Sequence, residues 1–282
     1  MQGKVFSTNK TLRVGSRLID LETPKVMGIL NLTPDSFYDG GRHSGEQSML
    51  LRVGTMLEDG ACFIDVGGYS SRPGAAEVSP EVEAERVMPA IRSIIKAFPQ
   101  ALLSVDTFRA GIARMALEEG AVMINDISGG EMDKEMQELI AHKNIPYILM
   151  HMRGTPQTMA YQTDYADLLK DVTHYFHTKI KNLQARGATD LMIDPGFGFS
   201  KTREQSFELL QKLPYLKTLG LPIVVGLSRK SMVWKTVETS PEEALNGTTS
   251  LHTVALLKEA DLLRAHDVKQ AVEVIKLVKF VM

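Results

Sequence analysis

The sequence predicts an α/β protein, a (β/α)8 TIM barrel with a short N-terminal hairpin extension, on three observations. Eight short apolar runs recur along the chain, helical spacing fills the gaps between them, and nearly every run ends on a residue able to hydrogen-bond, carry charge or bind metal. The run 26–30 leads into Asn31, 63–64 into Asp65, 102–105 into Asp106, and 122–124 into Asn125 and Asp126. The run 146–150 leads into His151, 191–193 into Asp194, 222–227 into Ser228, Arg229 and Lys230, and 262–263 into Arg264 and His266. A parallel strand buried on both faces reads as an unbroken apolar run, and its carboxyl end is where such barrels place their active sites. The polar endings therefore predict one ring of functional groups at one mouth.

Taken in order, residues 1–25 hold two short alternating runs, around Val5-Phe6 and 18–21, which predict a hairpin covering the amino end of a single barrel domain spanning 26–282. Met49, Leu50, Val53 and Leu57 recur at helical spacing, and Gly60 supplies a C-cap before the next strand. The stretch 81–97 carries Val82, Val87, Ile91 and Ile94-Ile95 at the same spacing, with Ser79 as N-cap, Pro80 at the first helical position and Glu81 and Glu83 in the first turn. Pro89 lies inside it and predicts a kink. The stretches 108–119, 134–142, 165–185, 205–212, 242–259 and 268–280 complete a set of eight. Three connections, 33–45, 67–80 and 228–246, are long enough to close over a substrate.

With 282 residues, 44% of them hydrophobic and 23% charged, the chain can bury a full core, and no linker-like stretch divides it. A formal net charge of −2 gives no bulk attraction to nucleic acid or to an anionic membrane, so neither is an expected partner. One cysteine, Cys62, excludes an intramolecular disulfide and fits a reducing compartment; beside Phe63-Ile64 it reads as core. No secretory segment stands at the N-terminus and no apolar stretch reaches the roughly 20 residues of a membrane span, so a cytoplasmic location is expected.

Asn31 ends the first barrel strand, where its amide carbonyl suits Mg²⁺ when a substrate brings phosphate oxygens, or simply caps the strand end. Gly67-Gly68-Tyr69-Ser70-Ser71-Arg72-Pro73-Gly74 offers backbone N–H groups, hydroxyls and a guanidinium, a mixture suited to an oxyanion. Asp106, Asn125 and Asp194 can read a heterocycle that alternates donors and acceptors, an N–C–NH₂ edge asking for a carboxylate; Asp126 and Asp65 are weaker candidates that read as caps of their following turns. Lys230 can donate to a carbonyl or ring nitrogen and Ser231 can anchor a carboxylate, while Arg264 and His266 follow the eighth strand, part of the common phosphate site of barrels. His142, His174 and His177 read as exposed helical residues, Trp234 as packing, and His151 ends a strand without an assigned step.

Gly28-Ile29-Leu30-Asn31-Leu32-Thr33-Pro34-Asp35-Ser36-Phe37, Ser70-Ser71-Arg72-Pro73-Gly74, Ser104-Val105-Asp106-Thr107, Ile124-Asn125-Asp126-Ile127-Ser128, Asp194-Pro195-Gly196-Phe197-Gly198-Phe199, Ser228-Arg229-Lys230-Ser231 and Arg264-Ala265-His266-Asp267-Val268, in that order, closely resemble the dihydropteroate synthase family. Departures are small: Tyr69 stands where the family often has Glu, Ser71 where Thr is usual and Ala265 where Val is common. The resemblance implies a transferase of folate biosynthesis and a sulfonamide target. It would join 6-hydroxymethyl-7,8-dihydropterin diphosphate to 4-aminobenzoate by Mg²⁺-assisted dissociative substitution, and similar proteins are homodimers. It implies that Asp106, Asn125, Asp194 and Lys230 bind the pterin. Asn31, Ser71, Arg264, Ala265 and His266 would face the diphosphate, with Asn31 on the metal, and Phe37, Pro73, Phe199 and Ser231 would form the aminobenzoate pocket. Asp35, Arg72 and Lys230 are the implied catalytic groups. Two competing readings are a methyltransferase module with a corrinoid partner and a barrel that binds a pterin or phosphate without turnover.

Overall fold

In this computed structural model, residues 10–32, 42–70 and 77–281 are described. Strands β1 (Thr11–Val14) and β2 (Arg17–Asp20) form an antiparallel hairpin, Thr11 opposite Asp20 and Val14 opposite Arg17. Gly15, at φ +59°, takes the left-handed conformation that a tight two-residue hairpin turn asks for. The first strand of the hairpin is thus Thr11–Val14, and Val5-Phe6 lies outside the described residues. Leu12 and Val14 alternate inward from solvent-facing neighbours, which is the pattern of a strand buried on one face.

The barrel strands are β3 (Lys25–Asn31), β4 (Phe63–Gly67), β5 (Leu103–Asp106), β6 (Met123–Asp126), β7 (Tyr147–Met150), β8 (Leu191–Asp194), β9 (Val224–Val225) and β10 (Leu262–Ala265). They pair in parallel in the order β8-β7-β6-β5-β4-β3-β10-β9. The gap between β8 and β9 is crossed by a parallel bridge from Ile193 to Ile223, where the Ile193 N–H donates to the Pro222 carbonyl at 3.0 Å. This closes the sheet into the expected TIM barrel.

Around it stand α1 (Arg42–Glu58), α2 (Pro80–Ala97), α3 (Ala110–Glu118), α4 (Glu135–Lys143), α5 (Leu168–Ala185), α6 (Arg203–Gln211), α7 (Ser231–Trp234), α8 (Leu245–Leu257) and α9 (Val268–Val278). Ser79 caps α2 by accepting from the Val82 N–H at 3.4 Å, Pro89 sits inside that helix, and Gly60 has the positive φ of a helix stop. Boundaries differ from periodicity alone where caps decide them. Asp167 accepts from the Lys170 N–H at 3.1 Å and starts α5 at Leu168, while Thr202 and Gln205 form a reciprocal capping box that starts α6 at Arg203. The last long connection is not plain loop: it holds the short helix α7, and α8 begins only at Leu245.

Strand alternation divides the interior into three apolar regions. Outward positions such as Val26, Leu30, Ile64, Val105, Leu149, Ile193, Leu263 and Ala265 pack with the helices. Inward positions at the amino end, Met27, Phe63, Met123, Ile148, Met192, Val224 and Leu262, cluster with Leu12, Val14 and Leu21 of the hairpin, which serves as the expected floor. Cys62 packs against this floor. At the other end, Tyr69, Phe108, Ile127, Met150, Met152 and Met159 make a small apolar wall. The floor is also tied by polar groups: the Arg13 N–H donates to Asp190 Oδ1 at 2.7 Å, and Asp261 receives Lys10, Lys217 and the Ile223 N–H.

Candidate active site

One row of register partners runs across four strands at the mouth: Asn31, Gly67, Asp106 and Asn125. Because Gly67 has no side chain, its neighbours lean over it. A Cβ there would lie 3.8 Å from Asp106 Oδ2 and 3.9 Å from Asn31 Oδ1. Directly beneath, Asp65 is fully buried. Its Oδ2 accepts from Arg264 Nε at 2.6 Å and from Asn125 Nδ2 at 2.9 Å, and Arg264 Nη2 donates to Asp106 Oδ2 at 2.6 Å. One guanidinium is thus shared by two carboxylates, leaving its Nη1 without a hydrogen-bond partner among the described residues.

The electrostatics follow from that sharing. Burial raises the Asp106 carboxyl to about 7, with Arg264 opposing and the carboxylates of Asp65, Glu83 and Asp126 reinforcing the rise. Burial works against the charge of Arg264, but Asp65 and Asp106 outweigh it and hold the guanidinium above its ordinary value.

A second group converges over Gly226, where a Cβ would lie 3.7 Å from Asp194 Oδ2 and 3.8 Å from Lys230 Nζ. Asp194 ends β8, and its Oδ1 accepts the Gly196 N–H at 2.8 Å. Burial raises the Asp194 carboxyl, opposed by the Lys230 ammonium. Lys230 follows β9, donates to the Phe197 carbonyl at 2.6 Å and lies 4.5 Å from the Phe199 ring centroid. Burial lowers it to about 8 while Asp194 resists.

His266 stands beyond β10, its Nδ1 3.0 Å from Ser228 Oγ and its N–H donating to the same oxygen at 3.1 Å. Burial and then Arg264 depress it to about 3, so the ring is neutral. Ser231 is exposed at the first residue of α7. Asp35, Phe37, Ser71, Arg72 and Pro73 lie outside the described residues.

Several placements correct the sequence reading. Asp65 does not cap a turn; it faces inward and anchors Arg264 and Asn125. Asp126 does cap, accepting from the Ser128 and Gly130 N–H groups and the Tyr147 hydroxyl on the outward side of β6. Arg264, expected to face the diphosphate, is held through Nε and Nη2 by the carboxylates of Asp65 and Asp106. Ala265 points outward into the helix layer, as alternation from Arg264 dictates, so its methyl does not line the mouth. Arg229, the cation beside Lys230, forms a two-pronged pair with Asp267 at 2.9 and 2.8 Å and donates to the Pro241 and Glu242 carbonyls, a tie across the 228–246 connection.

Lys201 was not visible in the sequence as a buried residue. Its Nζ lies 2.9 Å from His151 Nδ1 and donates to the Gly196, Phe199 and His151 carbonyls at 3.1, 3.0 and 3.3 Å. His151 is buried edge-on against Tyr175, and burial then the Lys201 charge depress it well below its usual range, which makes it a partner of this staple. The only local signal was a cation directly after a glycine-rich turn. His142, His174 and His177 are exposed, as expected.

Residues 27–266 match the family model described as pterin binding enzyme. The dihydropteroate synthase of Synechocystis is 43% identical over 272 residues, covering 94% of this chain and 93% of that protein. The Yersinia pestis dihydropteroate synthase, solved with a sulfonamide drug, superposes with a TM-score of 0.90 at 39% identity, over 96% of this chain and 98% of that one. The Xanthomonas albilineans enzyme, solved with 4-aminobenzoic acid, gives a TM-score of 0.89 at 36% identity over 97% and 98% of the two chains. Likeness of this degree over the whole barrel leaves no place for the corrinoid-linked and non-catalytic alternatives. The chain belongs to the dihydropteroate synthases, a family of pterin-binding enzymes.

Proposed function

We propose that the mouth condenses 6-hydroxymethyl-7,8-dihydropterin diphosphate with 4-aminobenzoate, releasing 7,8-dihydropteroate and diphosphate. The observation that carries this reading is the convergence of Asp106, Asn125, Asp194, Lys230 and Arg264 on one rim from five separate strand ends. In this reading Asp194 accepts from the pterin N–C–NH₂ edge, and Lys230 donates to its carbonyl or ring nitrogen. Asn125 has given its N–H₂ group to Asp65, which leaves its Oδ1 to accept a ring N–H, beside Asp106. Nη1 of Arg264, without a hydrogen-bond partner among the described residues, and the neutral ring of His266 meet the diphosphate; with Ser228 donating to Nδ1, His266 carries its proton on Nε2 and donates from there. Ser71 belongs to the same set, and Ala265 takes part through its main chain.

The donor set fits Mg²⁺ held largely by substrate: Asn31 brings a hard amide oxygen to the rim beside Asp106, and among the described residues no group of three or more His, Cys, Asp or Glu side chains forms a protein-only metal cage. Bound there, the ion would offset charge on the departing diphosphate. Carbon–oxygen cleavage at the pterin methylene sends the electron pair to the diphosphate, the neutral arylamine nitrogen attacks that carbon, and the amine then loses one proton. Asp35 and Arg72 act at the charged centre as catalytic groups alongside Lys230. Phe37, Pro73, Phe199 and Ser231 form the aminobenzoate pocket, Phe199 lying next to the Lys230 ammonium.

The same reading places the enzyme in the cytoplasm as a homodimer. Exposed Leu277, Phe280 and Val281 on the C-terminal stretch support a second copy as partner, and no helix among the described residues is long and apolar enough to cross a membrane. Incubation with both substrates and Mg²⁺ is expected to yield dihydropteroate and diphosphate in equal amounts, falling sharply when the metal is chelated. Tight binding of both substrates without product would overturn the assignment.

A further inference from the structure

We propose that Asp65 is a positioning residue for pterin recognition, because one buried carboxylate oxygen simultaneously orients the Arg264 guanidinium and the Asn125 amide. The inference rests on the reading of the mouth as the pterin site. Asp65 sits one level below the rim, fully buried, and its hydrogen bonds among the described residues go to Arg264 and Asn125, not to Lys230 or Asp194. Its effect on the bound ring is therefore exerted through two other side chains.

Three consequences follow from the geometry. An amide can present either its oxygen or its nitrogen to a ligand; donation of Nδ2 to Asp65 at 2.9 Å fixes Asn125 so that its oxygen is the end offered. Arginine has several ways to engage two carboxylates; Nε on Asp65 and Nη2 on Asp106 fix the plane of the fork and free Nη1. Finally, Asp65 is one of the negative charges that raise the Asp106 carboxyl, so its removal lowers that group. Among the described residues the remaining Asp65 oxygen, Oδ1, has no hydrogen-bond partner, and neither does Ser104 Oγ on the register neighbour of Asp65. Among the described residues the Asp65 carboxylate is thus hydrogen-bonded through Oδ2 alone.

Asp65→Asn keeps the volume while removing the charge and one acceptor arrangement. It is expected to lower kcat/KM for the pterin substrate roughly 10²-fold, the scale of a small misplacement in a catalytic site, and to move the acid limb of the pH–rate profile to lower pH. Ser104→Ala disturbs the same interior level without touching Arg264 or Asn125, and is expected to keep both readouts at wild-type values. Wild-type kinetics in Asp65→Asn, or equal damage from Ser104→Ala, would overturn the proposal. If Asp65→Asn does not fold, the wild-type enzyme still decides: the Arg264 Nε–H and Asn125 Nδ2–H₂ signals in nitrogen-15 NMR are expected to exchange slowly with solvent before ligand is added, and free exchange of both is the contrary result. An inactive wild-type enzyme would instead refute the function proposed above, which keeps the two failures apart.

Discussion

Asp106 and Lys230 are moved toward each other on the pH scale by the same cause, burial, acting on opposite charge types. In the proposed pterin role Asp106 accepts from the ring only when ionised, and it is held up at about 7, so binding is expected to improve as pH rises through that value. In the same proposed role Lys230 donates only when protonated, and it is held down at about 8, so binding is expected to decline as pH rises past it. A narrow bell in kcat/KM for the pterin substrate, with its top between these values, is the expected profile, and a plateau extending to pH 10 would contradict the role given to Lys230. The position of both residues at the mouth was legible from the sequence, since each follows an apolar run that reads as a barrel strand. Which carboxylate shares which cation was not, because that depends on register between strands far apart in the chain. Asp65 and Asp126 looked alike as strand-end acids; one faces the barrel interior and the other the helix layer, a difference of odd and even position that local pattern does not weigh.

Among the elements, helix starts were legible where a cap residue stood at the boundary, as at Ser79, and blurred where periodicity ran past it, as before Leu168. The turn after β8 shows what periodicity leaves out altogether. It brings the Phe197 carbonyl and the Phe199 ring to Lys230 and is held from behind by Lys201, whose ammonium is buried against three carbonyls and His151. Burial lowers the Lys201 ammonium well below its usual value, with Asp194 resisting. Lys201→Met would retain the packing stem and strand the carbonyls; each unsatisfied buried acceptor costs about 1–3 kcal/mol. The variant is expected to melt earlier and, if Phe199 borders the aminobenzoate pocket as proposed, to raise KM for aminobenzoate more than KM for the pterin substrate. Equal changes in the two constants would mean that the turn does not shape that pocket.

At the scale of the whole molecule, the barrel was legible because its strands are buried on both faces and read as apolar runs, and the hairpin beneath it was legible from alternation, though the strand it pairs first, Thr11–Val14, was not. The floor hairpin packs Leu12, Val14 and Leu21 against strand residues as distant as Phe63, Met123 and Met192, so tertiary contact adds to its own alternation in setting where it lies. The cylinder is also unequal around its circumference. Continuous ladders join seven of its strand pairs, but β8 meets β9 at a single bridge from Ile193 to Ile223. A hoop fastened by one rivet gives way there first, so the Ile193 amide is expected to exchange with deuterated solvent faster than its counterparts in β5 and β6. Asp194 and Lys230 stand on opposite sides of that seam. Pterin gripping both would act as a clasp across the weakest join, and the slowing of Ile193 exchange on saturation would record how much of the binding energy is returned to the wall itself.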